Sequence, residues 1–376
     1  MGGFKLKNIL VLTSSRADYG IYLPLLKELR LTKEIQFEIL AFGTHLSAKH
    51  GYTINEILKD GFTVQHQVEI PYEHDGPEDI ALCFAKTVEH FSRFWVKKGK
   101  DYDWIIVLGD RFEMAAAVAA GIPFVLPFAH IHGGETTLGA IDNIYRHFIT
   151  LSSSLHFVSL PAFKERVIEI VGEQARCFVV GALGLDNLSQ MPLLSKDEFY
   201  KKWQIDLAKP SVLITIHPET VAFDENVNHA NESEIALNQL ANQYQLIVTM
   251  PNADTYGNLY RKMFQTLKEK YPTQILLIEN FGTESYFTAM KHVGLMLGNT
   301  SSGITEGSSF QKYVLNIGDR QKGRIAGDNV IHTSFNSMEI IEKVNQYFGK
   351  SYTENSIYFK GGASKNIVKE LISNEY

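Results

Sequence analysis

Predominantly apolar runs of strand length, each followed by a helical pattern, recur along this chain in two series, and that alternation constrains the fold more than any other feature. The first series comprises residues 8–13, 37–42, 104–108, 123–128, 155–158 and 177–180. Between these runs lie stretches with apolar residues at helical spacing, such as 21–29, and an Ala-rich segment before 123–128. Runs that are apolar at every position fit parallel strands covered on both faces. Repeated β-α-β order implies a doubly wound parallel sheet. The pattern then begins again at 212–216, 246–250, 275–278, 293–297 and 314–317. The segment between the series, 187–209, is polar, with Pro192 inside it and Pro210 directly after it. The boundary is therefore placed near residue 185. This gives an N-terminal domain over 1–185 and a C-terminal domain over 186–376, whose last segment is open to packing back on the first. Ligands of such sheets bind outside the carboxyl ends of the strands, so the expected site is a cleft between the two domains.

With 376 residues the chain is too long for one ordinary core and comfortable for two. Hydrophobic content of 45% and charged content of 21% are those of a soluble globular protein. The net charge is −6, and no basic stripe suits a nucleic-acid backbone. Lys97, Lys98 and Lys100 read as a solvated helix end. No apolar run is long enough to span a bilayer, and the N-terminus enters a strand pattern with no signal peptide ahead of it. Cys83 and Cys177 sit in apolar settings without metal spacing and read as buried free thiols. The expected compartment is the cytoplasm.

Five polar constellations fall where strands end. Arg16, Asp18 and Tyr19 follow the first strand; a strand-to-helix turn offers free amides and a dipole, and Arg16 adds a fork for phosphate. The plainer reading is a surface Arg16–Asp18 pair. Gly109-Asp110-Arg111 ends an all-apolar strand, where a poorly solvated Asp110 can serve as a base. Asp110 could equally cap the Ala-rich helix. Next come His130, His132, Gly133, Gly134, Glu135, Asp142, Arg146 and His147. Asp142 and Arg146 are four apart and would share a helix face, where an exposed salt bridge is the plainer reading. His130-x-His132 is a spacing known for metals, but it is also ordinary in a strand. Neither H-x-x-x-H nor H-E-x-x-H occurs in this stretch, so no metal is expected.

In the second half, His217-Pro-Glu-Thr ends the first strand, and an imidazole there can donate to a phosphate leaving group. Gly298-Asn-Thr-Ser-Ser-Gly303 resembles a phosphate cradle without the Lys of a Walker A loop. Glu306, a helical turn later, can hold a ribose diol. A Ser helix cap is the plainer reading. Arg320 and Arg324 supply cations after another strand, and Asn252 and Asp254 follow a further one.

In order, the blocks SRADYG, GDR, HIHGGETTLGAIDNIYRH, HPET, NADT, GNTSSGI and NIGDRQKGR cover residues 8 to about 335. Together they resemble the hydrolysing UDP-N-acetylglucosamine 2-epimerases, whose relatives act on UDP-diacetylbacillosamine. The resemblance implies an α/β, GT-B-like fold: two Rossmann-like doubly wound parallel-sheet domains with the active site in the interdomain cleft. It implies conversion of UDP-N-acetylglucosamine to UDP and N-acetylmannosamine for sialic-acid-type synthesis, with the diacetylbacillosamine sugar as the alternative. A base takes the C2 proton and UDP leaves C1; water then adds at C1 to the 2-acetamidoglucal, and a proton returns to the opposite face of C2. On this resemblance Asp110 and Glu135 are the proton-transfer pair, with Asp142 a third candidate, and His217 assists the leaving diphosphate. Arg16, Asn252, Ser301, Ser302, Glu306 and Arg320 match positions that contact UDP, and Arg111 reaches either sugar or phosphate. Many members carry Glu where this chain has His132, so either Glu135 takes that role or His132 carries the proton itself. No metal or redox cofactor, nucleic acid or membrane partner is expected; a homodimer or higher homo-oligomer is. His45 and Tyr72 are candidates to line the sugar pocket. The rivals are a non-hydrolysing epimerase, a GT-B glycosyltransferase and a non-catalytic nucleotide-sugar sensor.

Overall fold

A computed structural model describes residues 6–48, 51–70, 76–219, 223–251 and 257–376. The chain forms two compact units, one of Met1–Glu135, Asp142–Gln190 and Lys360–Tyr376, the other of Thr136–Ile141 and Met191–Phe359.

The first unit holds a seven-stranded sheet of β1 (Lys7–Thr13), β2 (Ile35–Phe42), β3 (His66–Val68), β4 (Trp104–Leu108), β5 (Phe128–Ile131), β6 (Leu155–Val158) and β7 (Arg176–Val179), in the order β3-β2-β1-β4-β5-β6-β7. All pairings are parallel. All five residues of β4 are buried, as a strand covered on both faces requires. The Ala-rich helix Phe112–Gly121 is buried along eight of its ten residues, its small side chains letting it lie deep against the neighbouring core. The helix Arg16–Leu31 begins at Ser15, whose hydroxyl accepts from the Asp18 amide in a capping box. The closing helix Ala363–Ser373 belongs to this unit: buried Asp186 accepts from the Ala363 and Ser364 amides at 3.2 and 2.7 Å.

The second unit holds six parallel strands: β8 (Ser211–Thr215), β9 (Gln245–Thr249), β10 (Ile275–Ile278), β11 (Leu295–Gly298), β12 (Val314–Ile317) and β13 (Val330–Thr333). Their order is β10-β9-β8-β11-β12-β13. Its core joins Val212, Ile214, Leu246, Phe264, Leu297 and Leu315, each side chain contributing about 1.5–3 kcal/mol by burial.

Each sheet thus runs outward in one direction from its first strand and in the other from its fourth. The switch points fall at β1/β4 and at β8/β11, where the loops leaving neighbouring strands diverge and open a crevice.

Two expectations shift. The strand expected at 123–128 starts only at Phe128, after a 3-10 turn over Ile122–Phe124. Pro123 and Pro127 lack the amide hydrogens a strand needs. Consequently His130 and Ile131 lie in β5 rather than in a loop. The short edge strands β3 and β13 mix polar with apolar residues, so no apolar run announces them. Among the described residues, no helix is long and apolar enough to cross a membrane.

Candidate active site

Beside the switch point of the first unit, the loops after β4 and β5 bring three of the expected residues, Asp110, His132 and Glu135, around Arg146, which the sequence offered only as a helix-face partner of Asp142. Arg146 projects from the helix Asp142–Leu151 and is buried to 2% exposure. Its guanidinium donates to Asp110 Oδ2 and, at 2.9 Å, to the carbonyl of His132, and it lies 3.6 Å from Glu135 Oε2. His132 Nδ1 meets Glu135 Oε1 at 2.7 Å. His132 holds φ +65, a left-handed conformation uncommon for a residue with a Cβ. One cation therefore gathers both expected proton-transfer carboxylates and fixes the backbone of the histidine.

The plainer readings of two of these residues fail. The Ala-rich helix has Arg111 at its N-cap position with no side-chain cap bond, so Asp110 is not its capping residue. Nor is Arg146 an exposed partner of Asp142; it is buried and turned toward Asp110 and Glu135. Asp142 itself opens that helix, and its charge, with that of Glu113, adds to burial in pushing the Tyr145 hydroxyl up.

Beneath this cluster His130 is fully buried in β5, its Nε2 donating to the Gly109 carbonyl at 2.9 Å and its Nδ1 lying 3.2 Å from Thr150 Oγ1. Burial holds its pKa well below the usual value, so it supports the Gly109 turn as a neutral ring. With both nitrogens engaged, His130 is spent on structure. No group of three His, Cys, Asp or Glu residues stands at metal-holding geometry among the described residues.

Arg111 and Arg16 approach from β4 and β1. Arg111 donates to Glu113 Oε1 at 2.8 Å, and Glu113 is wholly buried behind it. Asp18 accepts from Ser14 Oγ at 2.6 Å and from the Ser14 and Ser15 amides at 3.0 and 3.1 Å, so it is a buried cap rather than a surface partner for Arg16. His45, a candidate for lining the sugar pocket, is buried with Thr13 and Thr53 hydroxyls at 2.9 Å on its two nitrogens. Burial, and less strongly the charges of Arg111 and Arg16, push it down to about 4. These two arginines therefore converge electrostatically on one neutral imidazole.

In the second unit Asn299 organises the switch point. It is fully buried; its Oδ1 accepts from the His217 amide at 2.7 Å, and its Nδ2 donates to the His217 carbonyl at 2.8 Å. The carbonyl of Asn299 accepts from Arg320 Nη1 at 3.3 Å and Gln321 Nε2 at 3.0 Å. Gly298 is obligatory ahead of it: φ is +147, and a Cβ there would lie 1.9 Å from the Thr215 carbonyl oxygen. The helix Ser301–Glu306 is capped by Thr300, not by a serine, through a 3.4 Å bond from the Ser302 amide. The Ser302 hydroxyl meets the Tyr286 hydroxyl at 2.7 Å, and burial keeps that tyrosine protonated. The segment Thr136–Ile141 joins this unit, with the Leu138 amide donating to the Lys322 carbonyl at 2.8 Å and Arg324 donating to Thr137 Oγ1 at 3.3 Å. Asn252 and Tyr72 lie outside the described residues.

Glu113 and Tyr286 escape a reading of the sequence, and Arg146 and Asn299 were named there without the organising role the structure gives them. For Glu113 the signal was a charge within an otherwise apolar helical stretch.

Two parallel sheets of Rossmann strand order, each with charged or hydroxyl-rich loops at its switch point, define a GT-B-like architecture. The model of the family described as UDP-N-acetylglucosamine 2-epimerase matches residues 27–372. The GDP/UDP-N,N'-diacetylbacillosamine 2-epimerase (hydrolyzing) of Campylobacter jejuni is 33% identical over 333 residues, covering 89% of this chain and 86% of that protein. The polysialic acid biosynthesis protein P7 of Escherichia coli is 32% identical over 98% of this chain and 95% of its own length. The crystal structure of UDP-GlcNAc 2-epimerase from Neisseria meningitidis bound to UDP-GlcNAc superposes with a TM-score of 0.82 at 18% identity, covering 98% of this chain and all of that one. The chain belongs to the hydrolysing UDP-N-acetylglucosamine 2-epimerase family and is an epimerase acting on a nucleotide-linked amino sugar.

Proposed function

We propose that the chain takes a UDP-linked 2-acetamido sugar to UDP and the free 2-epimeric sugar, with UDP-N-acetylglucosamine as substrate and N-acetylmannosamine as product. The observation that carries this reading is the cluster of Asp110, His132 and Glu135 around buried Arg146. Elimination across C1–C2 needs a base for the C2 proton, and hydration needs an acid that returns a proton to the opposite face. Two carboxylates on separate loops, held by one guanidinium, supply two such groups. Asp110 and Glu135 are assigned to the proton transfers. Glu135 exchanges its proton with His132 Nδ1, to which it is bonded. Asp142 is retained as a third carboxylate, and Arg111 is assigned to the sugar or the first phosphate.

His217, Ser301, Ser302, Glu306 and Arg320 are assigned to UDP, with Arg16 and Asn252 as further contacts. Charge develops on the diphosphate as the C1–O bond breaks, and Arg320 with His217 meets it. Water adds at C1 of the glycal, so that substrate and water are converted to UDP and free sugar with all atoms accounted for.

A second reading, UDP-N,N'-diacetylbacillosamine as substrate, is favoured by the activity named for the Campylobacter jejuni relative. Both readings predict UDP release from the nucleotide-sugar alone. Purified protein is incubated with each sugar and no acceptor, and free UDP is measured. UDP appearing with one of them supports the reading and selects the sugar; a requirement for an added acceptor would overturn it in favour of a transferase.

A further inference from the structure

The second unit carries a buried carboxylate to which the catalytic assignment gives no role. Glu219 lies two residues after His217 and is 3% exposed. Its Oε1 accepts from two successive backbone amides, Asp319 at 2.6 Å and Arg320 at 3.0 Å. These amides follow Gly318, whose φ of +70 turns them toward one point, making a backbone nest for an anion. A Cβ on Gly318 would stand 2.4 Å from the same oxygen, so the carboxylate is pressed onto the turn. The backbone of Glu219 is locked in turn: its amide donates to Asn226 Oδ1 at 3.0 Å, and its carbonyl accepts from Asn226 Nδ2 at 2.9 Å.

These bonds close a ring with those already described. His217 is clamped by Asn299, the Asn299 carbonyl receives Arg320, the Arg320 amide is held by Glu219, and Glu219 follows His217 on the same loop. The chain thus spends a charged side chain on filling a nest whose shape would otherwise suit a phosphate oxygen. With Glu219 in place, the 319 and 320 amides are occupied, and the anion-binding group this turn offers is the Arg320 guanidinium.

We infer that Glu219 is a positioning residue for the nucleotide diphosphate, acting through Arg320. It fixes the turn that carries this cation against the loop that carries His217. The inference rests on the reading that Arg320 meets UDP.

The test is calorimetric binding of UDP to the full chain, well below its melting temperature. The variants are Glu219→Ala, Glu219→Gln, Arg320→Ala and the double variant Glu219→Ala/Arg320→Ala. Glu219→Ala is expected to weaken UDP by about tenfold, as loss of one charge-assisted anchor does. Glu219→Gln keeps an oxygen for both amides and should lose no more than about threefold. In the Arg320→Ala background, adding Glu219→Ala should change affinity by less than about twofold, because the group it positions is gone. Wild-type affinity in folded Glu219→Ala, or full additivity in the double variant, would overturn the inference while leaving the UDP reading intact. Wild-type affinity in Arg320→Ala would remove the reading itself, and the inference with it. If Glu219→Ala fails to fold, Glu219→Asp replaces it: the shorter side chain should bind UDP more weakly than Glu219→Gln, and the reverse order would overturn the inference.

Discussion

Replacing Arg146 with methionine removes a charge and keeps most of the side-chain volume. Arg146 is 2% exposed and faces Asp110 and Glu135, the latter 3% exposed. At the 3.6 Å separation from Glu135 and an effective dielectric near 20, one such contact is worth roughly 4–5 kcal/mol of Coulomb attraction. Desolvation of the pair offsets much of that in the wild type, whereas the variant leaves buried carboxylate without its cation. Breaking a buried pair in this way costs about 3–5 kcal/mol. For a unit of this size that lowers the melting temperature on the order of 10 °C. Activity should fall further than stability, because both carboxylates proposed for proton transfer lose their anchor and general acid–base catalysis is worth a factor of about 100 to 10,000. Arg146→Lys retains the charge but has no fork, so it should recover stability before activity. The assay is UDP release at a temperature where the variants remain folded, with melting followed by circular dichroism. A methionine variant that melts like wild type and keeps kcat/KM within about threefold would refute the role given to Arg146.

Glu113→Ala removes the buried carboxylate to which Arg111 donates and should cost about 3 kcal/mol, with a raised KM on the proposal that Arg111 meets substrate; thermal melting and steady-state kinetics check both. Gly298→Ala forces β8 and β11 apart, since its Cβ would meet the Thr215 carbonyl at 1.9 Å, and should destabilise the second unit by about 2–3 kcal/mol in denaturant titration. His45 and His156 are pushed down to about 4 by burial, so the folded state holds them neutral below the pH at which the unfolded chain protonates them. The stability this represents is complete above about pH 6.5 and is lost as pH falls toward 4, by up to about 3 kcal/mol for each ring. His156→Phe should flatten that slope, measured as unfolding free energy against pH.

Much of the architecture was legible because parallel strands buried on both faces announce themselves as unbroken apolar runs. β4, β6 and β12, buried at every position, all lie within stretches picked out on that ground. β3 and β13 were not legible, since these short edge strands mix polar with apolar residues and carry no such run. Where an apolar run contained Pro127, the strand began one residue later, and that moved His130 from a loop into the sheet. Loop chemistry was legible by residue type: Asp110, His132 and Glu135 stand together. What holds them was not, because Arg146 reaches Asp110 across 36 positions of sequence and nothing in local spacing reports such a contact. Glu219 was passed over for the same reason, its amide partners lying about 100 residues away.

The central claim is that elimination and hydration at C1 accompany epimerisation at C2, and proton NMR of the reaction in heavy water tests it most directly. UDP-N-acetylglucosamine, and UDP-N,N'-diacetylbacillosamine in a parallel tube, are followed with purified protein. The account predicts that one of them yields UDP together with a free 2-epimeric sugar carrying deuterium at C2. A product still linked to UDP, or a free sugar that retains its original C2 proton, would contradict it.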